Sequence, residues 1–596
     1  MSGKRTIARL WHDAVAAGRT RPAYLEQVGE EWRPISWTEA AERVDAYANG
    51  LLALGVRKGD AFAILAGTRV EWALFDFALG QVGAIGAAIY ANSSPKDVGY
   101  ILEHSDSVGV LCEDESQQAK VESVRDGLPR LQHVLTFAGL EKLAEQGRAF
   151  ATANPGALRE AAESVEEDDL FTYIYTSGTT GPPKGCMISN RNYYAMVTVV
   201  DDLENYTTDA DTMLLYLPLA HNFGRLMHLA GAYVGYTIAF LPDPLQAASA
   251  LATVRPTVFP SVPRVYEKIH TAVVAKFDEA TGVKRKLIDW ALAVGRRVSV
   301  LRRSGRPVPR LLALQYRLAD KLVYSKVKAR LGGRLRTAIS GGAPLAIEIA
   351  EFFHAIDILL VEGYGLTECT TAATTSTRSA FRFGTVGKAL PGFELKLADD
   401  GELLVRSETL FQGYYKDPEA TAEVFTPDGW LLTGDIAEID EDGFVKITDR
   451  KKDIIVTAGG KNVSPQNLEN ELKGSKYISQ ALVVGDRKPY VAALITLDAD
   501  EIGKWATARG LEGGLPELSR EPSVQELVQG IVDSVNADRS RYEQVRRFSI
   551  LPRDFTMDDD ELTPTLKLKR NICKDHFAAE LDELYAGGTL SQAAGV

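Results

Sequence analysis

An apolar run, Leu170 to Tyr175, opens directly into the segment Tyr175 to Gly185, YTSGTTGPPKG, which crowds hydroxyls, glycines and one lysine into a turn. That composition suits a loop that wraps phosphates. A glycine such as Gly178 lets backbone N–H groups approach anionic oxygens. Thr176, Ser177, Thr179 and Thr180 add donors, and Lys184 supplies a point charge. The segment is not a Walker A loop. Pro183 precedes the lysine and Gly185 and Cys186 follow it, so the hydroxyl that would hold Mg²⁺ is missing. Loops rich in Gly, Ser and Thr also mark plain surface turns, so its meaning depends on what accompanies it.

Four further blocks follow: YGLTE at 364–368, GWLLTGD at 429–435, DRKKDIIVTAGG at 449–460 and PTLKLKR at 564–570. Five blocks in this order resemble the adenylate-forming acyl-CoA synthetases, nearest to the bacterial long-chain fatty acid–CoA ligases, and the resemblance covers nearly the whole chain. It implies that ATP, Mg²⁺ and CoA take part and that the substrate is a fatty acid. The chemistry needs them: a carboxylate is a resonance-stabilised anion that a thiolate does not attack. Adenylation at the α-phosphorus of ATP releases pyrophosphate, and the CoA thiol then displaces AMP. Such a transfer asks the protein for positioning and charge neutralisation.

The same resemblance implies a role for each matching residue. Glu368 is the Mg²⁺ ligand, a hard oxygen donor, and Thr367 beside it donates to the α-phosphate. Asp435 holds the ribose hydroxyls, with Arg450 on the other side of the sugar. Gly341, Gly342, Ala343 and Pro344, together with Tyr364 and Gly365, frame the adenine by close backbone approach and aromatic stacking. Lys567 is the catalytic lysine of the adenylation step. The alignment selects it over Lys569, with Leu566 standing where many relatives have Gly. Lys452 falls at the hinge position, Gly459 and Gly460 line the pantetheine path, and Lys461 lies where a CoA phosphate contact is placed.

The block LPLAHNFGR at 217–225 matches the segment that closes over the substrate carboxylate, with His221 as its gate. Asn222 and Gly224 stand where many long-chain members have an aliphatic residue and Glu. The run VFPSVPRVY at 258–266 also resembles the long-chain ligases.

These residues must be carried by a large scaffold. A chain of 596 residues with 45% hydrophobic content exceeds one core. Apolar runs such as Ala61–Leu65 and Val108–Leu111 alternate with helical stretches such as Trp37–Leu54, which predicts an α/β fold of parallel sheets covered by helices. The resemblance implies a large N-terminal domain, 1–449, of stacked α/β sheets with a distorted barrel. A hinge follows at 450–453, then a small mobile α+β C-terminal domain, 454–596. Residues 151–168, with the turn signal Asn154-Pro155-Gly156, read as an exposed connection.

Composition excludes several classes. Four cysteines, Cys112, Cys186, Cys369 and Cys573, form no CxxC pair, and the N-terminus has no apolar h-region. Both predict a cytoplasmic protein without a disulfide framework. Trp72–Ala91 is the most apolar stretch, and its Asp76, Gln81 and glycines predict a buried helix and strand. A net charge of −13 disfavours nucleic acid as a partner.

Residues 284–330 run against that average, with fourteen Lys or Arg against Asp289 and Asp320. Leu287, Trp290, Ala291, Val294, Val298 and Leu301 place an apolar stripe on a basic helix. That pattern fits either a domain helix with a solvated face or peripheral contact with lipid at the inner face of a membrane.

Three alternatives to CoA ligation are open, one of them an inactive homologue acting as a lipid-binding module, against which Lys184, Glu368, Asp435 and Lys567 together argue. A fatty acyl-AMP ligase would load a carrier protein, but carries an extra segment not evident between Glu368 and Asp435. A serine hydrolase would use AISGG at 338–342 as a nucleophile elbow, leaving the five blocks unexplained.

Overall fold

The computed structural model describes residues 3–176, 182–203, 206–537, 539–563 and 567–586. Two large sheets, each with a parallel centre, form the first part of the chain. In the nine-stranded sheet the strands Leu360–Tyr364, Thr337–Ser340, Val258–Ser261, Thr212–Leu215, Thr237–Phe240 and Tyr24–Val28 are neighbours and run parallel. The six-stranded sheet has the order His133–Thr136, Gly109–Cys112, Ala61–Leu65, Ile85–Ile89, Leu170–Thr176, Lys184–Ser189, and only the last pair is antiparallel.

The residues explain the architecture. Ala61–Leu65 and Ile85–Ile89 are buried at every position, as strands covered on both faces must be. The helices that cover them start at side-chain caps: Ser36 accepts from the Glu39 amide, and Ser94, followed by Pro95, accepts from the Asp97 amide. The stretch Trp72–Ala91 folds as expected, into the end of a helix, Val70–Val82, that stops at Gly83 with φ +71°, and a strand. Between Ala157 and Ser164 the expected connection is instead a helix, because Leu158, Ala161 and Ala162 pack against the core; the turn around Asn154–Gly156 and residues 165–168 are irregular.

After the parallel sheets comes a four-stranded antiparallel sheet, Glu394–Leu397, Glu402–Arg406, Leu431–Ile439 and Val445–Arg450. The last part builds a three-stranded sheet from Ile478–Val484, Val491–Leu497 and Val545–Ile550. Its buried apolar clusters begin at Ile455, whereas those of the first part end at Val445.

The basic segment forms the helices Gly282–Arg303, Arg310–Ala319 and Ser325–Arg330. Its apolar stripe is not a lipid face. Ala291, Val294 and Val298 are buried, and Leu287, Trp290 and Leu301 pack partly buried against the same core, where the helix meets Arg310–Ala319 and Ile347–Ala355.

Asp76 lies at zero exposure in the helix Val70–Val82 and is paired with the equally buried Arg225. The Arg225 Nη1 donates to Thr172 Oγ1 at 2.5 Å, and its guanidinium sits over the rings of Trp72 and Phe171. Burial pushes the Asp76 carboxyl pKa up while Arg225 opposes that. Removing the cation alone strands a buried carboxylate. Arg225→Met should therefore cost about 3–5 kcal/mol in urea unfolding, and adding Asp76→Leu should recover part of that loss. A single variant as stable as the parent would remove this account.

Candidate active site

Three parallel strands of the nine-stranded sheet, two of them adjacent and the third beyond Val258–Ser261, deliver the site at their carboxyl ends, where open α/β sheets gather ligand-binding loops. Thr337–Ser340 leads into Gly341–Pro344, Leu360–Tyr364 into Gly365–Glu368, and Thr212–Leu215 into the block that contains His221. Gly342 adopts φ +82°, open to glycine at little cost. At Gly365 a Cβ would stand 2.5 Å from the Ala372 Cα, so the chain after Tyr364 crosses its own return strand only without a side chain.

Tyr364 donates its hydroxyl to Asp435 Oδ2 at 2.6 Å, and Arg450 Nε donates to Asp435 Oδ1 at 3.0 Å. Asp435 and Arg450 are cross-strand partners, so the ladder fixes their separation. Burial first and Asp435 second push the Tyr364 hydroxyl pKa well up, which keeps it a donor. Each carboxylate oxygen retains acceptor capacity for a further hydroxyl.

Glu368 sits in a short turn, Thr367–Cys369. Its Oε1 accepts the Tyr414 hydroxyl at 2.6 Å, and its carbonyl accepts from the Phe411 amide at 2.9 Å. Lys184, at the start of its strand, lies over the Tyr414 ring at 5.1 Å and 3.6 Å from Asp417. Tyr414 therefore stands between the lysine that would meet phosphate and the carboxylate that would meet metal. Among the described residues no group of three His, Cys, Asp or Glu side chains forms a metal cage. A lone carboxylate fits Mg²⁺, which keeps waters and takes phosphate oxygens. Thr176 closes the strand pair with Lys184, while Ser177, Gly178, Thr179 and Thr180 lie outside the described residues.

His221 caps the helix Asn222–Val234, its Nδ1 accepting from the Phe223 amide at 3.1 Å. Burial and then the nearby Lys567 ammonium lower its pKa to about 4. The ring is thus neutral with its proton on Nε2. Lys567 arrives from the far end of the chain, and its carbonyl accepts from the Thr563 amide at 2.8 Å. It is exposed, yet enough protein surrounds it that lost hydration lowers its pKa. Arg450 acts in the same direction, while Asp435 and Glu368 oppose. One lysine therefore feels His221, Glu368, Asp435 and Arg450 together.

Other expected residues stand apart. Lys452 lies exposed in the turn after Arg450, and Gly459, Gly460 and Lys461 occupy a hairpin turn between Ile455–Val456 and Asn462–Val463. Among the described residues no hydrogen bond or ion pair joins that hairpin to the Glu368–Asp435 group. Ser340 is buried within its strand and its Oγ has no hydrogen-bond partner, which is unlike the exposed serine of a nucleophile elbow.

The sequence missed Tyr414 and Asp417, which follow Glu368 by 46 and 49 residues and carry no motif. It also missed Arg570, which donates to Glu469 at 2.6 Å and lies 3.7 Å from Asp453, tying the chain just after Lys567 to the segment after Arg450.

Two family descriptions match: AMP-binding enzyme over residues 11–415 and AMP-binding enzyme C-terminal domain over 452–589. The long-chain-fatty-acid–CoA ligase FadD15 of Mycobacterium bovis is 39% identical, over 96% of this chain and 97% of the relative. The peroxisomal long chain acyl-CoA synthetase 6 of Arabidopsis thaliana is 30% identical over 93% and 82%. Among solved structures, an anthranilate CoA ligase in complex with anthranoyl-AMP aligns with TM-score 0.71 at 21% identity, covering 98% of this chain and 99% of that one. A Mycobacterium tuberculosis fatty acyl CoA synthetase aligns with TM-score 0.63 at 21% identity, covering 97% and 99%. At these identities the two structures speak for the fold.

With its pKa near 4, His221 gains charge only as pH falls through that value. The ratio of activity between the parent and a His221→Asn variant should therefore stay constant from pH 5 to 8, roughly the range across which an unperturbed histidine would titrate. A step in that ratio near pH 6.5, the ordinary value for the side chain, would contradict the assignment.

Proposed function

The chain belongs to the AMP-binding enzymes, and we propose that it is a long-chain fatty acid–CoA ligase that works through an acyl-adenylate and releases AMP and pyrophosphate. Near full-length similarity to relatives named for that activity supports the reading. What carries it is that Lys567, from the far end of the chain, lies near enough to His221, Glu368, Asp435 and Arg450 to interact with each electrostatically.

In this reading Asp435 accepts the ribose hydroxyls with the lone pairs that Tyr364 and Arg450 leave free, and Tyr364 with Gly341–Pro344 holds the adenine. Lys184 and the adjoining loop meet the outgoing phosphates. Mg²⁺, when bound, neutralises charge on those phosphates, and Glu368 gives it a protein oxygen. Thr367 donates to the α-phosphate, and Lys567 steadies the charge that develops as the carboxylate attacks. His221, neutral, closes the carboxylate side without adding a charge there.

The division into residues 1–449 and 454–596 about a hinge at Lys452 belongs to the same proposal, supported by apolar clusters that do not mix across 445–455. Rotation about Lys452 would withdraw Lys567 and bring Gly459, Gly460 and Lys461 to the cleft for CoA.

We infer a cytoplasmic location with peripheral lipid contact through the 284–330 segment, on a surface other than the Leu287–Leu301 stripe. Leu311, Leu314 and Leu318 recur along one face of the helix Arg310–Ala319 and are 70, 64 and 50% exposed. Arg310, Arg317 and Lys321 lie alongside, exposed and in no ion pair among the described residues. No helix of the described residues is long and apolar enough to cross a membrane. Leucines beside free cations favour an anionic lipid surface, each cation contributing about 1 kcal/mol near it.

The deciding experiment measures pyrophosphate and AMP release with MgATP and palmitate, with CoA or an acyl carrier protein added. Turnover that requires CoA supports the ligase; turnover only with the carrier identifies a fatty acyl-AMP ligase. Lys567→Ala should lower acyl-adenylate formation by about 10²–10³-fold while preformed acyl-AMP still reacts with CoA. Equal damage to both steps would remove Lys567 from its role. Replacing Leu311, Leu314 and Leu318 by Gln should reduce sedimentation with vesicles containing anionic lipid by about tenfold without altering turnover. Unchanged sedimentation would exclude this helix as the contact.

A further inference from the structure

Asn222, in the gate block, makes hydrogen bonds to two separate parts of the chain. It is 1% exposed, at the first position of the helix Asn222–Val234. Its Oδ1 accepts the Tyr193 hydroxyl at 2.5 Å, and its Nδ2 donates to the Thr367 carbonyl at 3.4 Å. Its own carbonyl accepts from Thr371 Oγ1 at 3.3 Å. One side chain and its peptide thus hold the start of the turn that contains Glu368 and a residue just beyond its end.

The far end of this bridge is rigid. Tyr193 is fully buried on the helix Asn190–Asp202, whose start is fixed by reciprocal bonds between Ser189 and Asn192. Asn192 also donates to the carbonyls of Glu408 and Leu410, next to the Phe411 amide that holds the Glu368 carbonyl. The near end is constrained by Gly224, where a Cβ would stand 2.7 Å from the Leu217 carbonyl oxygen and closer still to that of Pro218. The helix therefore begins against the backbone that leads to His221. Asn222 and Gly224 are also the two places where the 217–225 block departs from many long-chain ligases.

We propose that Asn222 is a positioning residue for adenylation: bridging Tyr193 and Thr367, it fixes the Thr367–Glu368 turn relative to the His221 gate, so that substrate carboxylate and α-phosphate are presented in register. The inference rests on the ligase reading and deepens it. An aliphatic residue at 222 would leave the Tyr193 hydroxyl and the Thr367 carbonyl without these partners, and a misplaced turn costs rate in the step that uses it.

The test compares the parent with Asn222→Leu, Tyr193→Phe and the double variant, following adenylation and the reaction of preformed acyl-AMP with CoA separately, with melting temperature alongside. Asn222→Leu should lower kcat for adenylation by about 10–100-fold, leave KM for MgATP within about twofold, and spare the second half-reaction. Tyr193→Phe should lower adenylation in the same sense, and the double variant should be little worse than Asn222→Leu because the two act through one bridge. Losses in both half-reactions that scale with a fall in melting temperature would make the bridge merely structural and overturn the proposal, as would an Asn222→Leu enzyme of full adenylation rate. Parent protein that releases no pyrophosphate with any fatty acid would instead remove the ligase reading itself.

Discussion

The carboxylate of Asp435 is the interaction on which the rest of the cleft depends. It is buried, and a buried carboxylate must be paired or hydrogen-bonded on more than one side. Here one oxygen takes the Tyr364 hydroxyl from the edge of the parallel sheet, and the other takes Arg450 from the antiparallel ladder. A single anion therefore locks together two sheets that share no strand and the segment from which the last part of the chain departs. Neither neighbour exhausts its lone pairs, so the group that organises the scaffold can also grip a diol.

Around that anchor the cleft is built from pairs that separate positive and negative charge without cancelling them. Lys184 and Glu368 face Tyr414 from two sides, and Asp417 draws the lysine toward one of them. Lys567 faces Arg450 as well as two carboxylates, an arrangement that is unfavourable until an anion enters. In the proposed reading, these cations are the ones that would meet a polyphosphate and a carboxylate. The buried pair of Asp76 and Arg225 does the opposite: it is closed, satisfied and far from solvent, and it seats the helix whose first turn presents Asn222.

Much of the fold is legible in the residues. Continuous apolar runs such as Ala61–Leu65 require cover on both faces, Ser36 and Ser94 mark helix starts, and Asp76 within Val70–Val82 already argues against a membrane span. One expectation failed and one open alternative was decided, for one physical reason. The 151–168 segment and the stripe from Leu287 to Leu301 have patterns that are equally good in solvent, on lipid or against a core, and only the neighbours present decide. Helix Arg310–Ala319 covers part of that stripe and offers its own leucines outward instead.

For the candidate site, the chain alone determined which residue types stand in the five blocks and hence the chemistry they could serve: hydroxyls and glycine for phosphate, a hard carboxylate for Mg²⁺, a lysine for developing negative charge. Those are local properties, carried by composition and short-range order. Tertiary structure decided what meets what. Lys567 comes beside residues more than a hundred positions away, Tyr414 serves Glu368 without belonging to any motif, and Asn222 binds Tyr193 and Thr367 at once. Such contacts arise where strand ends and loops converge in space, and no periodicity or spacing along the chain records which side chains will share one carboxylate.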